Sequence, residues 1–454
     1  MIVSFSVSNF RSFLKEETLS LVASKRIADE SAGHLVPIPN SSEKALKITA
    51  IYGANGAGKS NICRAVRYLR GLALGDRKKG TGTGRRRFAF VDDSHMPSTF
   101  DIQFIKHDKL YRYIIAVDDE KVVEESLSFY KKGKEKEIYS RVTDDDLSVH
   151  VQVDSVKKNS KIASMANVGG PENQSFLACV FLNIDPDKAD DDFVEVINWF
   201  ATNLVVIFPT SSYLNLLGKL SNDNNFLNFA SEILADSSTG VDGLEVARQE
   251  LLSDDLYNLI PKSSIDKFIN DADNDMPLTF PMRGNCESLV VEKDGAAYKQ
   301  TLMSKHKGAP DCYIDFYDES DGTKRLLNII PAIFSKDEGK VYVIDEIDRS
   351  MHPLLARMFI EKFISICKND KRQLIITTHE THLLDKNLLR RDEIWFAEKD
   401  RAGASHLTSL VDFKIRNDLD ISKNYLQGRF GAIPFLGGSD HLMQYEECTK
   451  DVSG

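Results

Sequence analysis

The sequence predicts an α/β protein organised round a buried parallel sheet, and three stretches predict it. Residues 48–70 read ITAIYGANGAGKSNICRAVRYLR. A β-branched run leads into a glycine-rich turn, and then Ile62, Ala65, Val66 and Leu69 recur at i, i+3, i+4, i+7, one face of a helix. Residues 341–346, VYVIDE, form an apolar run that ends in two carboxylates, and residues 374–379, LIITTH, form another that ends in a histidine. Apolar runs without alternation mark strands covered on both faces, and the chemistry of such sheets gathers at their C-terminal edge.

Within the first stretch, Gly53-Ala54-Asn55-Gly56-Ala57-Gly58-Lys59-Ser60 fits GxxxxGK[ST] between a strand and a helix, the context that makes this pattern a phosphate loop. The glycines let successive N–H groups turn inward on a polyphosphate, and the helix N-terminus adds partial positive charge. Lys59 is expected to reach the β- and γ-phosphates and Ser60 to ligate Mg²⁺, so the expected ligands are ATP and Mg²⁺.

At 454 residues the chain exceeds one typical domain. Three parts are expected: 1–150 with the phosphate loop and a β-rich subdomain, 151–305 as a mainly helical insertion, and 306–454 as the second half of the nucleotide fold. With 42% hydrophobic and 28% charged residues the composition is that of a soluble globular protein. A formal net charge of −10 excludes a surface that is basic all over, so any nucleic-acid contact must come from a local patch. Cys63, Cys179, Cys286, Cys312, Cys367 and Cys448 are scattered, without metal-ligand spacing, which fits free thiols in a reducing cytoplasm. The N-terminus alternates like a strand rather than carrying the apolar core of a signal peptide, and no run is long enough to span a bilayer. A cytoplasmic protein with no membrane partner is expected.

Taken in order, residues 1–10 place Ile2, Phe5, Val7 and Phe10 nearly in alternation, a half-buried strand, with 19–23 as a second strand of the same sheet. Arg11, at the strand's end, is a candidate for phosphate or base contact, against the alternative of a surface arginine. Residues 77–87, RKKGTGTGRRR, read as a flexible loop that attracts phosphate backbones, although without the interleaved aromatics of a single-strand platform. Strand-like runs follow at 99–105, 110–117 and 126–130. Gln103 and Gln174 lie where a glutamine could reach Mg²⁺ or the attacking water, without a diagnostic context. From 191 to about 273 the chain reads as helical, interrupted by a short apolar strand at 205–208 and lacking sustained heptads. Runs at 289–292 and 298–304 flank Lys293-Asp294-Gly295, a hairpin signal.

Residues 313–317 alternate like a strand, and SDGTKR at 320–325 precedes a buried helix carrying Leu326, Leu327, Ile329, Ile330 and Ile333. Ser320 and Gly322 therefore sit at a helix N-terminus, a second anion-binding position. Asp345 is expected to hold the Mg²⁺ shell opposite Ser60, and Glu346 to polarise the water that attacks the γ-phosphate. His379, as a neutral imidazole, is expected to hydrogen-bond a γ-phosphate oxygen or that water. Edge strands at 393–397 and 406–411 and a turn-rich segment at 425–434 close the chain.

NFRSF at 9–13, GANGAGKS at 53–60, SDGTKR at 320–325, VYVIDEID at 341–348 and TTHE at 377–380 together resemble an ATP-binding-cassette (ABC) ATPase head of the SMC/RecF type. The resemblance covers the two ends of the chain and covers 191–273 poorly. It implies the fold class, an ABC-type P-loop ATPase head with a β-rich subdomain and an inserted mainly helical subdomain. It also implies a nucleotide sandwiched in a head-to-tail dimer or higher homo-oligomer, with Ser320 and Gly322 as the signature facing the partner's phosphate loop. Asp321 and Thr323 depart from the usual S-G-G-Q signature. More narrowly, the compact insert, DEIDRSMHP at 345–353 and LQGRFGAIP at 426–434 resemble AAA-family ATPases of bacterial abortive-infection and anti-phage systems. These are the AbiL/RloA-like proteins, to which the ATPase subunit of PARIS and the Septu-type ATPases are related. That resemblance implies a sensor or scaffold ATPase beside a separate effector, a nuclease or TOPRIM-type protein, with DNA or a phage protein as trigger. With 75 residues after His379, no integral nuclease is expected. Two further readings are a RecF-like DNA-repair ATPase that loads on DNA through 77–87, and a scaffold that binds ATP only to assemble.

Overall fold

The computed structural model describes residues 1–433 apart from 28–32, 92–95, 155–160, 186, 188, 212, 214, 253–255, 257, 259, 264, 266–276, 284–285, 293, 335–338 and 415–419. Lys293 of the expected hairpin turn, Pro434, Cys448 and the end of the helical stretch expected to reach Asp273 lie outside the described residues.

The organising element is a six-stranded sheet in the order Leu204–Ile207, Val341–Ile344, Gln373–Thr377, Ile48–Tyr52, Ile394–Lys399, Ser405–Ser409. The first five strands are parallel and the last is antiparallel to its neighbour. Ile48–Tyr52, Val341–Ile344 and Gln373–Thr377 are buried at every position, as their largely apolar composition favours. Their side chains divide with period two. Ile51, Val341, Val343 and Ile375 pack with Ile62, Val66 and Leu69 of the helix Lys59–Leu74. Tyr52, Tyr342, Ile344 and Ile376 pack on the other face with Leu326 and with Phe359 and Ile360 of the helix Pro353–Ile366. Each such side chain contributes roughly 1.5–3 kcal/mol of burial. The strand expected at the edge from 393 is internal, paired on both sides. Tyr425 and Phe430 of the closing segment stack on its Phe396.

A seven-stranded antiparallel sheet flanks this core, in the order Val149–Val153, Lys134–Thr143, Val122–Lys131, Lys109–Val117, Ser98–Lys106, Ile2–Ser8, Glu17–Ser20. The two N-terminal strands pair, the second over Glu17–Ser20 rather than the expected 19–23. Lys134–Thr143 and Val149–Val153 are additions: the first opens with four exposed polar residues, so its sequence shows no apolar alternation there. A two-residue turn with both residues at positive φ, Lys132 (+53°) and Gly133 (+75°), sets its hairpin register.

The segment 151–305 was expected to be mainly helical, and the structure corrects this. Helices run from Lys161–Val168 to Asn224–Asp236, but Val241–Glu250, Leu278–Met282, Glu287–Val291 and Ala297–His306 then form an antiparallel sheet that Ala309–Asp315 extends. Val241, Leu244 and Val246 fit neither period cleanly. Pairing of Val241–Glu250 with Ala297–His306 along their length decides the outcome. The helix expected through Ile333 is two helices, Asp321–Ile329 and Pro331–Phe334. Among the described residues no helix is long and apolar enough to cross a membrane.

Candidate active site

Register places the chemistry. Ile207 pairs with Ile344, Ile344 with Ile376, and Thr377 with Ile51. The residues that follow, Phe208, Asp345, Thr378 and Tyr52, therefore reach the same edge of the sheet, with Gly53 next in the chain. Asp345 N–H donates to the Ile207 carbonyl at 2.9 Å, and Thr378 N–H to the Ile51 carbonyl at 3.1 Å, carrying this alignment one step further.

The loop from Gly53 to Ser60 runs from strand to helix. Gly53, Gly56 and Gly58 have φ of +154°, +78° and +111°. A Cβ on Gly53 would collide with the Ala397 carbonyl, and one on Gly58 with the Ser405 hydroxyl, whereas Gly56 faces open space. Ser405 Oγ donates to the Ala57 carbonyl at 2.7 Å, so the far edge of the sheet braces the loop. Gly58 caps the helix with no side chain, leaving the first-turn N–H groups of Lys59 and Ser60 for a ligand.

Lys59 is buried, and its Nζ donates to the carbonyls of Gly53 at 2.7 Å and Ala54 at 3.1 Å. Burial lowers its pKa to about 8, opposed by Glu346, Asp345 and Asp348. His379 Nδ1 stands 3.4 Å from the same ammonium. Burial, with Lys59 close by, pushes the imidazole below its ordinary pKa, so the neutral form dominates at neutral pH.

Asp345 is buried, and its Oδ1 accepts from Thr377 Oγ1 at 2.7 Å. The same hydroxyl accepts the Glu346 N–H at 2.8 Å, which holds Glu346 at φ +48°. Glu346 Oε2 lies 3.6 Å from Arg349 Nη1. Ser60, Asp345 and Glu346 line one cleft of about 780 Å³, also lined by Arg11, Arg64, Arg67, Arg77 and Arg86. A hydroxyl and two carboxylates are hard oxygen donors of the kind Mg²⁺ takes, and the surrounding guanidinium groups suit a polyphosphate.

Arg11 shares that cleft with φ +54°; its N–H donates to the Arg86 carbonyl at 2.7 Å, and its buried Nε has no partner. Burial and the nearby Arg64 and Arg86 lower its pKa. The loop 77–87, expected to be flexible, is tied down. Arg85 Nε pairs with Asp119 at 2.7 Å, Asn173 Nδ2 donates to the Lys78 carbonyl at 2.8 Å, and Tyr68 Oη donates to the Thr83 carbonyl at 3.0 Å. Gln174 is spent on the Arg77 carbonyl at 2.7 Å, and Gln103 sits within a strand paired to Arg112; neither lines the cleft.

Ser320 caps the helix Asp321–Ile329, accepting from Thr323 N–H at 3.2 Å. Gly322 is pressed against the turn after the acids, where a Cβ would lie 2.5 Å from the Ser350 carbonyl. Neither residue lines the cleft that holds Ser60. One residue escaped sequence reasoning: Arg325, buried on this helix. Its Nη2 donates to the carbonyls of Asp345 at 2.8 Å and Glu346 at 3.2 Å, and its Nη1 to that of Phe208 at 3.1 Å. The one signal in the sequence was an arginine directly before the apolar pair Leu326-Leu327.

The phosphate loop and the acids, two strands apart in the parallel sheet, and the flanking antiparallel sheet make this a mixed α/β fold built round a P-loop. A family model described as "AAA domain, putative AbiEii toxin, Type IV TA system" matches residues 48–149 and 306–385, the two segments that carry the phosphate loop and the acid and histidine strands. No curated protein matches. Among solved structures, the chain is similar to an Smc head bound to the C-terminal winged-helix domain of ScpA, at 15% identity and TM-score 0.39, with 90% of this chain and 97% of that one covered. It is likewise similar to the SMC head domain from Thermotoga maritima, at 12% identity and TM-score 0.37, with coverage of 90% and 98%. A third is an Smc head with an extended coiled coil bound to the C-terminal domain of ScpA, derived from Pyrococcus furiosus, at 12% identity and TM-score 0.37, covering 90% and 97%.

Proposed function

We propose that the chain binds and hydrolyses ATP with Mg²⁺, that its copies assemble head to tail round the nucleotide, and that this assembly controls a separate effector of an anti-phage defence system. The observation that carries the enzymatic reading is the convergence of Lys59, Ser60, Asp345, Glu346 and His379 at one sheet edge. The loop N–H groups and Lys59 bind the phosphates. Ser60 and Asp345 would hold Mg²⁺, which when bound neutralises charge on the β- and γ-phosphates. Glu346 orients and deprotonates the attacking water, and neutral His379 donates or accepts a hydrogen bond beside the γ-phosphate. Arg11 contacts the nucleotide from the cleft wall.

Head-to-tail assembly is supported by the lining of the cleft: Ser320 and Gly322 are not among the residues round Ser60 in their own chain, and in this reading they serve a second copy's phosphate loop. The effector reading rests on the abortive-infection resemblance and on the toxin-system description of the matching family model. Phosphate release that needs Mg²⁺ and falls at least a hundredfold in both Lys59→Ala and Glu346→Gln is expected. Release by Glu346→Gln at the wild-type rate would remove the hydrolytic reading. Affinity capture with ATP-trapped Glu346→Gln is expected to retrieve a nuclease or TOPRIM-type protein encoded beside it.

The arginines round the cleft favour one second reading, a DNA-loading ATPase. It predicts duplex binding that weakens steeply with salt and is lost when Arg77 and Arg86 are both neutralised.

A further inference from the structure

Arg325 links two surfaces that the proposed assembly assigns to different nucleotides. The helix Asp321–Ile329 begins at Ser320 and Gly322, which would face a second copy. The acids Asp345 and Glu346 belong to the chain's own site. From the second turn of that helix, the Arg325 guanidinium reaches the carbonyls of Asp345, Glu346 and Phe208 together, and its Nε stays buried without a partner. Two further contacts fix the same helix to the same edge. Gly322 lies against the Ser350 carbonyl, and Asn328 Oδ1 accepts the Tyr213 N–H at 2.9 Å. Tyr213 follows the Phe208–Ser211 segment that lines the cleft with Ser60. Glu346 at φ +48° and Ser350 at φ +60° bracket the turn so held, both in the sparsely populated left-handed region.

We infer that Arg325 is a positioning residue: it makes the helix Asp321–Ile329 and the turn bearing Glu346 move as one body, so that docking of Ser320 and Gly322 on one nucleotide sets Glu346 for attack on the other. This inference rests on the head-to-tail reading. A guanidinium is suited to the task because its planar fork can span three carbonyls at fixed angles, which a single ammonium cannot. Its charge is buried, and burial lowers its pKa to about 10, leaving it protonated at neutral pH. Because its hydrogen bonds go to main-chain oxygens of the acid turn and the Phe208 segment, Arg325 acts on where the acids sit rather than on the phosphate loop. Its loss should therefore alter turnover and cooperativity while sparing nucleotide affinity.

The test is the rate of phosphate release against ATP concentration for the full-length wild type and Arg325→Lys, with binding of a fluorescent ATP analogue and the melting temperature measured on both. The wild type is expected to respond with a Hill coefficient near 2. Arg325→Lys is expected to bind the analogue within about twofold of wild type, to turn over at least tenfold more slowly, and to respond with a Hill coefficient near 1. A cooperative wild type with an equally cooperative Arg325→Lys overturns the coupling and leaves the head-to-tail reading standing. A wild type that is hyperbolic, with specific activity independent of protein concentration, overturns that reading and the coupling with it. Should Arg325→Lys fail to fold, amide exchange on Glu346→Gln decides the matter. Protection of residues 320–329 and of 345–351 should rise together along an ATP titration, and midpoints more than tenfold apart would overturn the coupling.

Discussion

Lys59 is a buried ammonium satisfied by carbonyls, with its nearest titratable neighbour a neutral imidazole. Its native pKa, about 8, lies below the ordinary 10.5, so between those values the unfolded chain binds more protons and stability rises with pH. Lys59→Met is therefore expected to melt no lower than wild type at pH 7, to lose nucleotide binding, and to lack the wild type's gain in melting temperature between pH 8 and 10.5. The charge is kept for its ligand at a cost to the fold. His379 has the same sign: its pKa is depressed, so stability starts to fall as pH drops below the ordinary value of about 6.5, while the native imidazole stays neutral to a lower pH. The acid limb of the phosphate-release profile should flatten in His379→Gln. Thr377 is a smaller hinge of the site, since one hydroxyl serves Asp345 and Glu346 at once. Thr377→Val leaves a buried carboxylate oxygen and an N–H short of a partner, and chemical denaturation should show a loss of about 1–3 kcal/mol. Turnover should fall more than affinity.

At the scale of elements, the phosphate loop makes unequal demands on its glycines. Gly58 combines φ +111° with the Ser405 hydroxyl where a Cβ would go, whereas Gly56 has φ +78° and open space. Gly56→Ala is expected to cost about 1 kcal/mol, the strain of a left-handed alanine, and Gly58→Ala more, with loss of nucleotide binding by calorimetry. Equal costs would mean that the edge-strand brace has no hold on the loop. The elements differ too in how legible they were. Ile48–Tyr52, Val341–Ile344 and Gln373–Thr377 could be read directly, because an unbroken apolar run between glycine or acidic punctuation has one structural use. Lys59, Ser60, Asp345, Glu346 and His379 followed, since each adjoins such a run. The antiparallel sheet from Val241 could not be read: its first strand leaves most of its residues exposed or half-buried, and its order is settled by pairing with strands some 50 residues on. Arg325 was hidden for a related reason. Its partners are backbone carbonyls 20, 21 and 117 positions away, and a carbonyl carries no residue type for a pattern to find. The basic loop misled because charge density reads as solvation, while Arg85 is buried against Asp119.

For the whole molecule, two packed faces enclose one sheet, and the groups expected to touch phosphate or metal in one chain's site gather at one edge of it, Arg11 alone coming from the flanking antiparallel sheet. Ser320 and Gly322 present a separate surface. In the proposed head-to-tail assembly a single copy supplies each half of a composite site without closing it, and ATP acts as the bond between copies. The most direct test is mass photometry of the purified chain with and without ATP and Mg²⁺, on wild type, Lys59→Ala and Glu346→Gln. The account predicts a nucleotide-dependent dimer or larger assembly that Glu346→Gln retains and Lys59→Ala never forms. One mass distribution across all three proteins, unchanged by nucleotide, would contradict it.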